Sequence, residues 1–185
     1  MDLPALMQWL SATGGSVALR ESLYAYPVIE SLHVLAIMLF VGTIAMVDLR
    51  LLGRAFPQTP VSEMTSRILP WTVAGFALMV VTGLLLFYAI PVRTYHSVWF
   101  RVKVLVMVVA FANILVFHWR VQRDRAAWDT ATIPPPGARF CAMVSLACWA
   151  AVVTAGRMIA YNWFDCDRSQ PALVAWFAQC SAYVR

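Results

Sequence analysis

A glutamate and a histidine inside the first apolar segment are the residues most able to carry chemistry. Glu30 lies three positions before His33, so the two side chains lie near each other on one helix face. Ionisable groups are costly in hydrocarbon, and they usually face a bundle interior, a partner or a bound ligand. The pair therefore marks a functional site or, in the simpler interpretation, a polar contact that holds helices together.

The polar residues of the apolar segments fall into two groups by depth. The group in the His33 half consists of Glu30, His33, His96, Arg101, Lys103 and Arg157. The group near the opposite surface consists of Asp48, Arg50, Asn113 and His118. For this second group we expect structural roles. Asp48 would form an ion pair with Arg120 or Arg123, and Asn113 would hydrogen-bond with His118 between helices.

The helices that must position these groups follow from composition. The 185 residues are 62% hydrophobic and only 12% charged, with a mean hydropathy of +0.72, unlike a soluble protein. Four apolar runs reach the roughly 20 residues that cross a bilayer. They are Tyr26–Val47, Ile68–Ile90, Val98–Trp119 and Phe140–Tyr161. The sequence thus predicts an all-α, integral membrane four-helix bundle that occupies residues 1–185 as one unit.

Short amphipathic helices are expected at both ends of the chain, lying in the membrane interface. The N-terminal one places four apolar residues on one face: Leu3, Leu6, Met7 and Leu10. The C-terminal one follows Pro171 and carries Leu173, Val174, Trp176 and Phe177. Arginines in the first and third loops place both loops on the cytoplasmic side, with both termini outside. No basic face with stacking aromatics is visible, which argues against nucleic-acid binding.

The four cysteines divide into two pairs. Cys166 and Cys180 flank the C-terminal helix on the predicted outer side, where disulfides form. We expect a bridge between them that contributes about 3 kcal/mol. Cys141 and Cys148 lie inside the fourth span and are expected to be ordinary buried side chains.

A haem fits the polar group around His33 better than a bare metal ion. No sequence-local pair with zinc or copper spacing is present. His33 and His118 would lie about 20 Å apart along the membrane normal and cannot share one metal. Haem b accepts axial histidine, with His33 as the principal ligand and His96 or Lys103 completing or adjoining the site. Arg101, Lys103 and Arg157 lie at a depth suited to the propionates.

Two short stretches resemble known membrane proteins. Ile29-Glu30-Ser31-Leu32-His33, followed by Gly42 and by Asp48-Leu49-Arg50-Leu51-Leu52-Gly53, resembles a family of small uncharacterised bacterial four-helix membrane proteins. More distantly, it is similar to CopD-type copper-resistance proteins and HemJ-type protoporphyrinogen oxidases. Phe100-Arg101-Val102-Lys103-Val104-Leu105 is similar to the third-helix lysine segment of the HemJ type. That resemblance implies a bacterial inner-membrane location and haem b binding through His33 and Lys103.

The hypothesis from the sequence is a haem b protein that acts in electron transfer or in a membrane redox reaction. Glu30 would orient the His33 ring. Its partners would be the lipid bilayer and a redox subunit or quinone, and it could form a homo-oligomer. One alternative is a non-catalytic accessory subunit that docks on a membrane complex. Another is a copper or small-solute permease.

Overall fold

The computed structural model describes residues 2–161, 163–164 and 166–183. Within these residues the chain forms eight α-helices and no strand: α1 (Leu3–Ala12), α2 (Gly14–Glu21), α3 (Ala25–Leu51), α4 (Val61–Ala89), α5 (Pro91–His96), α6 (Val98–Val116), α7 (Pro136–Ala160) and α8 (Ala172–Ala178). Four of them, α3, α4, α6 and α7, are long and apolar enough to cross a membrane. The predicted all-α class with four membrane helices is confirmed, and the chain is a multi-pass membrane protein.

α3, α4 and α7 begin before the predicted apolar runs, whereas α6 ends at Val116, three residues before the predicted end at Trp119. α4 begins at Val61 rather than Ile68, and α7 begins at Pro136 rather than Phe140. Hydropathy locates only the apolar part of a helix, whereas its backbone hydrogen bonds continue into the polar surface. Proline is favourable in the first turn of α7, because no intrahelical acceptor awaits its missing amide hydrogen. After α3, Gly53 takes a left-handed φ of 70°, which ends the helix in the manner typical of glycine.

The membrane helices pack in the order α4, α3, α7, α6 around the bundle. α3 lies along both α4 and α7, and α6 lies along α7, whereas α4 and α6 touch through the stacked rings of Phe87 and Phe100, with centroids 5.5 Å apart. At mid-depth, the Phe40 ring contacts Phe76 with centroids 5.4 Å apart and Trp149 with centroids 4.8 Å apart. Ala110, Cys148 and Val152 complete the buried cluster around Phe40 and Trp149, whereas Phe76 is 48% exposed. We call the five buried residues the aromatic layer.

The short helices gather at one end of the bundle, which we call the disulfide end. The Thr13 hydroxyl lies 2.7 Å from that of Tyr88, near the end of α4. The Ser16 hydroxyl donates to the carbonyl oxygen of Ala89 at 3.3 Å. α1 and α8 lie where interfacial helices were expected, and both expose large apolar side chains, including Trp9 and Trp176. The hydrogen bonds of Thr13 and Ser16 dock α1 and α2 on the bundle.

A buried arginine joins the two loops at the opposite end, which we call the Arg50 end. Arg50 is 0% exposed. Its Nε donates to the carbonyl oxygen of Thr59 at 2.7 Å, and its Nη2 donates to that of Ala131 at 3.1 Å. Asp129 caps α4 from the second of these loops, accepting hydrogen bonds from the Ser62 backbone amide and hydroxyl. One side chain therefore orders both connections.

The contact between α3 and α4 can be tested at Gly75. A Cβ atom there would lie 2.9 Å from the Phe40 backbone nitrogen, so Gly75→Ala forces the two helices apart. Overpacking of this kind costs about 1–3 kcal/mol, and we expect a clearly lower thermal midpoint in detergent. Gly42→Ala is the control, because nothing lies within 4 Å of its Cβ position. Equal midpoints for the two variants would contradict this packing.

The cap on α4 predicts a pH-dependent stability. Partial burial acts to raise the pKa of the Asp129 carboxyl, but hydrogen bonds from Ser62 and the charges of Arg125 and Arg50 lower it below its usual value. The stabilisation is therefore present above the unfolded-state pKa and lost as pH falls through the folded-state value. We expect Asp129→Ala to cost about 1 kcal/mol at neutral pH.

Denaturant unfolding in detergent across acidic pH measures this effect. The difference between wild type and Asp129→Ala should shrink on acidification. Asp124→Asn, at an exposed carboxylate of the same segment, should leave stability nearly unchanged. If the difference in unfolding free energy between wild type and Asp129→Ala grew as pH falls, the ionised Asp129 carboxylate would not be the stabilising cap.

Candidate functional site

His33 is half-buried on the face of α3 that meets α4. Its Nδ1 lies 2.8 Å from the Thr82 hydroxyl oxygen, and that hydroxyl donates to the Leu78 carbonyl oxygen at 2.7 Å. Because the threonine hydrogen is used in its own helix, we assign the hydrogen of the His33–Thr82 bond to Nδ1. The Nε2 atom then carries the free lone pair, as in a metal-binding imidazole.

Space for the imidazole comes from a glycine next to Thr82. A Cβ atom at Gly83 would lie 3.1 Å from His33 Cε1, closer than ordinary contact. Thr82 itself is 3% exposed. α4 thus supplies both the acceptor that orients the ring and the gap that holds it.

Lys103, on α6, connects α6 and α7 to the surroundings of His33. Its ammonium lies within electrostatic range of the His33 ring. It also packs on Gly156 of α7, where a Cβ atom would be 3.8 Å from Nζ. In the described part of the chain, no carboxylate lies within ion-pair distance of Lys103. We call His33, Thr82, Gly83, Lys103 and Gly156 the His33 site, to which all four membrane helices contribute.

Glu30 and Arg157 lie at the edge of this site. Glu30 is exposed and lies near the Tyr26 phenol, one turn earlier on α3. The sequence led us to expect that Glu30 orients the His33 ring. The hydrogen-bond partner in the structure is Thr82 instead. Arg157 is exposed, and its guanidinium lies 5.4 Å from the centre of the Tyr161 ring.

His96 and Arg101 hold the C-terminal segment. His96 is 2% exposed, and its Nδ1 donates to the Ala178 carbonyl oxygen at 2.9 Å. Arg101 donates to the carbonyl oxygens of Phe177, Ala178 and Tyr95. The hydrogen bonds of both residues are thus directed to the disulfide end of the protein rather than to His33.

The cysteines occupy two settings. Cys166 and Cys180 form a disulfide at the positions that the sequence predicts, with Cα atoms 5.2 Å apart. It closes the segment that carries α8 and lies beside the anchors His96 and Arg101. Cys141 and Cys148 are free thiols buried in α7.

A second polar group lies on the Arg50 side of the aromatic layer. Asp48 is 6% exposed, and its Oδ2 has no hydrogen-bond partner, while the Ser145 hydroxyl on α7 interacts with the carboxyl. Asn113 donates to the Cys141 carbonyl oxygen at 2.9 Å. We call Asp48, Ser145, Asn113 and Cys141 the Asp48 layer.

Two expected contacts at this depth are wrong. Within the described residues Asp48 makes no ion pair with Arg120 or Arg123. Asn113 does not pair with His118, whose Nδ1 instead lies 2.7 Å from the Gln122 side-chain oxygen in a π-helical turn after α6. Depth alone did not reveal which way each side chain points around its helix.

The donor set limits what the protein alone can ligate. Among the described residues, no group of three or more His, Cys, Asp or Glu side chains could hold a metal ion. The His33 site offers one free imidazole nitrogen and one amine. A metal held there would need most of its ligands from a second molecule.

Comparison with known proteins identifies a family for this chain. No curated protein and no solved structure matches this chain, and a relationship to CopD-type or HemJ-type proteins is therefore not shown. One family model, described as a family of unknown function (DUF6644), matches residues 11–162. The match spans the four membrane helices and both polar groups, and it ends before the disulfide-linked segment. The chain therefore belongs to DUF6644, a family of unknown function.

Proposed function

We propose that this protein binds haem b at the His33 site and acts in electron transfer or in a membrane redox reaction. The observation that carries the proposal is the bond between His33 Nδ1 and Thr82, which leaves Nε2 free to ligate. Metal-binding histidines are typically oriented in this way by a bond from the other ring nitrogen.

The shortage of protein ligands favours a porphyrin over a bare ion. A porphyrin supplies four equatorial nitrogens, so one imidazole is a sufficient protein ligand. Beside this site α4 and α6 meet through the stacked rings of Phe87 and Phe100, whose centroids are 5.5 Å apart, rather than along their backbones. The Lys103 ammonium, from α6, lies near the His33 ring.

Cations near the site suit the two propionates of haem. Lys103 is the only one of the three basic residues considered from the sequence that interacts with His33. Arg157 follows Gly156, on which Lys103 packs, and is exposed. Arg101 donates to backbone carbonyl oxygens, so we assign the propionates to Lys103 and Arg157.

The location and partners follow from charge and redox chemistry. We propose the bacterial inner membrane, with the Arg50 end on the cytoplasmic side, because arginines concentrate in cytoplasmic loops. The disulfide then lies on the oxidising side. When bound, haem supplies one-electron transfer, and a quinone or a redox subunit would be the exchange partner.

Replacing His33 tests the ligand directly. The purified protein should show a Soret band and sharp dithionite-reduced bands, at about one haem per chain. His33→Ala should lose most of this absorbance while remaining folded by circular dichroism. His118→Ala is the matched control, since that histidine is exposed and bonded to Gln122.

A folded, haem-replete wild type without visible absorbance would overturn the proposal. Co-purification with another membrane protein would then point to the accessory subunit, and a change in cellular metal content on deletion to the permease. Full haem content in His33→Ala would exclude His33 as the ligand.

Replacing Thr82 tests the orienting bond. Thr82→Val keeps the side-chain shape but removes the acceptor for Nδ1, so haem affinity should fall by about 10–100-fold. The reduction midpoint should also move, because imidazole basicity changes. Thr72→Val is the control, because the Thr72 hydroxyl bonds only its own helix, at Ile68. Equal haem affinity and midpoint in both variants would remove Thr82 from the site.

A further inference from the structure

The Asp48 layer contains a carboxyl group that the fold buries without a counter-charge. The residue is 94% covered, since 6% is exposed, and Oδ2 has no partner within the described chain. Its polar neighbour is the Ser145 hydroxyl, on the facing side of α7. Asn113 and Cys141 make a hydrogen bond of their own close by.

The charged and titratable groups around Asp48 do not neutralise it. Arg50, two residues later on α3, directs its guanidinium to the loop carbonyl oxygens of Thr59 and Ala131. From α7, the Cys141 thiol faces the carboxyl and has no positive charge to offer. Glu63 and Arg67 pair on the surface of α4, and His118, after α6, bonds Gln122. The half-buried Arg125 and Asp129 lie in the loop where Asp129 caps α4. The remaining charged groups at this end are exposed: Arg54, Arg120, Arg123, Asp124 and Arg139.

A bare carboxylate in these surroundings is costly, because burial removes its hydration and no cation replaces it. A protonated carboxyl avoids that cost and can use its hydrogen toward Ser145. A metal ion would need several oxygen donors, and the described residues form no such cluster. We propose that Asp48 is a proton-binding site inside the bundle, which exchanges its proton with the Arg50 end.

The direction of exchange follows from what lies on each side. Asp48 stands three residues before the end of α3, about 4.5 Å along the helix axis. Arg50 Nη1 is also buried there without a hydrogen-bond partner among the described residues, so polar groups continue from Asp48 toward the Arg50 end. In the other direction, Phe40 and Trp149 close the bundle with apolar surface. A proton therefore reaches Asp48 from the Arg50 end.

Infrared spectroscopy of the full chain in vesicles tests this inference. Between about pH 5 and pH 9, the wild type should show a protonated-carboxyl stretch that disappears as pH rises and shifts in heavy water. Asp48→Asn should lack this band, and Asp124→Asn, at an exposed carboxylate, should retain it. Ser145→Ala leaves the acid in place and should move the band to higher frequency by weakening its hydrogen bond.

Each contrary result has a distinct meaning. Absence of the band from wild type at every pH, or its persistence in Asp48→Asn, would overturn the proposal. A band unaffected by pH and heavy water would show a sealed structural acid, and loss of the band on adding Na⁺ at fixed pH would show a metal-cation site; both would also overturn it. If Asp48→Asn fails to fold, the Ser145→Ala shift still decides. The outcome is independent of haem binding, because apoprotein suffices.

Discussion

The close approach of α3 and α4 is the constraint on which the rest of the bundle depends. Gly75 lets the α4 surface touch the backbone of α3 at Phe40, and Gly83 accepts the His33 ring. In a lipid environment, small residues at a helix contact provide van der Waals packing that hydrophobic burial does not supply. The same approach brings Thr82 within hydrogen-bond distance of His33. Because α3 also packs on α7, its position sets the depth of both polar groups.

The architecture was largely predictable from the sequence, because lipid imposes a length and a composition on each span. The helix starts were less predictable. α4 begins at Val61 because Asp129, far along the chain, caps its first turn, and no local pattern reveals such a partner. Arg50 looked like a topology signal. Its full burial beneath two loops depends on Thr59 and Ala131, which meet only in the folded protein.

The candidate site was predictable in part, for a geometric reason. Counting residues along a helix gives depth, and His33 and Lys103 were correctly placed at one level. Depth does not give the direction around the helix axis. His96 and Arg101 were therefore grouped with His33 and Lys103, although they donate hydrogen bonds to the C-terminal segment. Thr82 was missed because a threonine in a membrane helix commonly bonds its own backbone. The available clue was its position beside Gly83, a small residue opposite a large polar one.

The aromatic layer has an electrical consequence. Low-permittivity material between two polar regions takes most of a transmembrane voltage, and each elementary charge crossing the full drop changes free energy by about 2.3 kcal/mol per 100 mV. Phe40 and Trp149 lie between the His33 site and the Asp48 layer, so the two polar groups face different ends of that drop. A charge gained at one level is therefore weighted by the potential of its own side of the membrane. Charge that moves from one site to the other would cross most of the drop, so an energised membrane would shift that equilibrium without any movement of the helices.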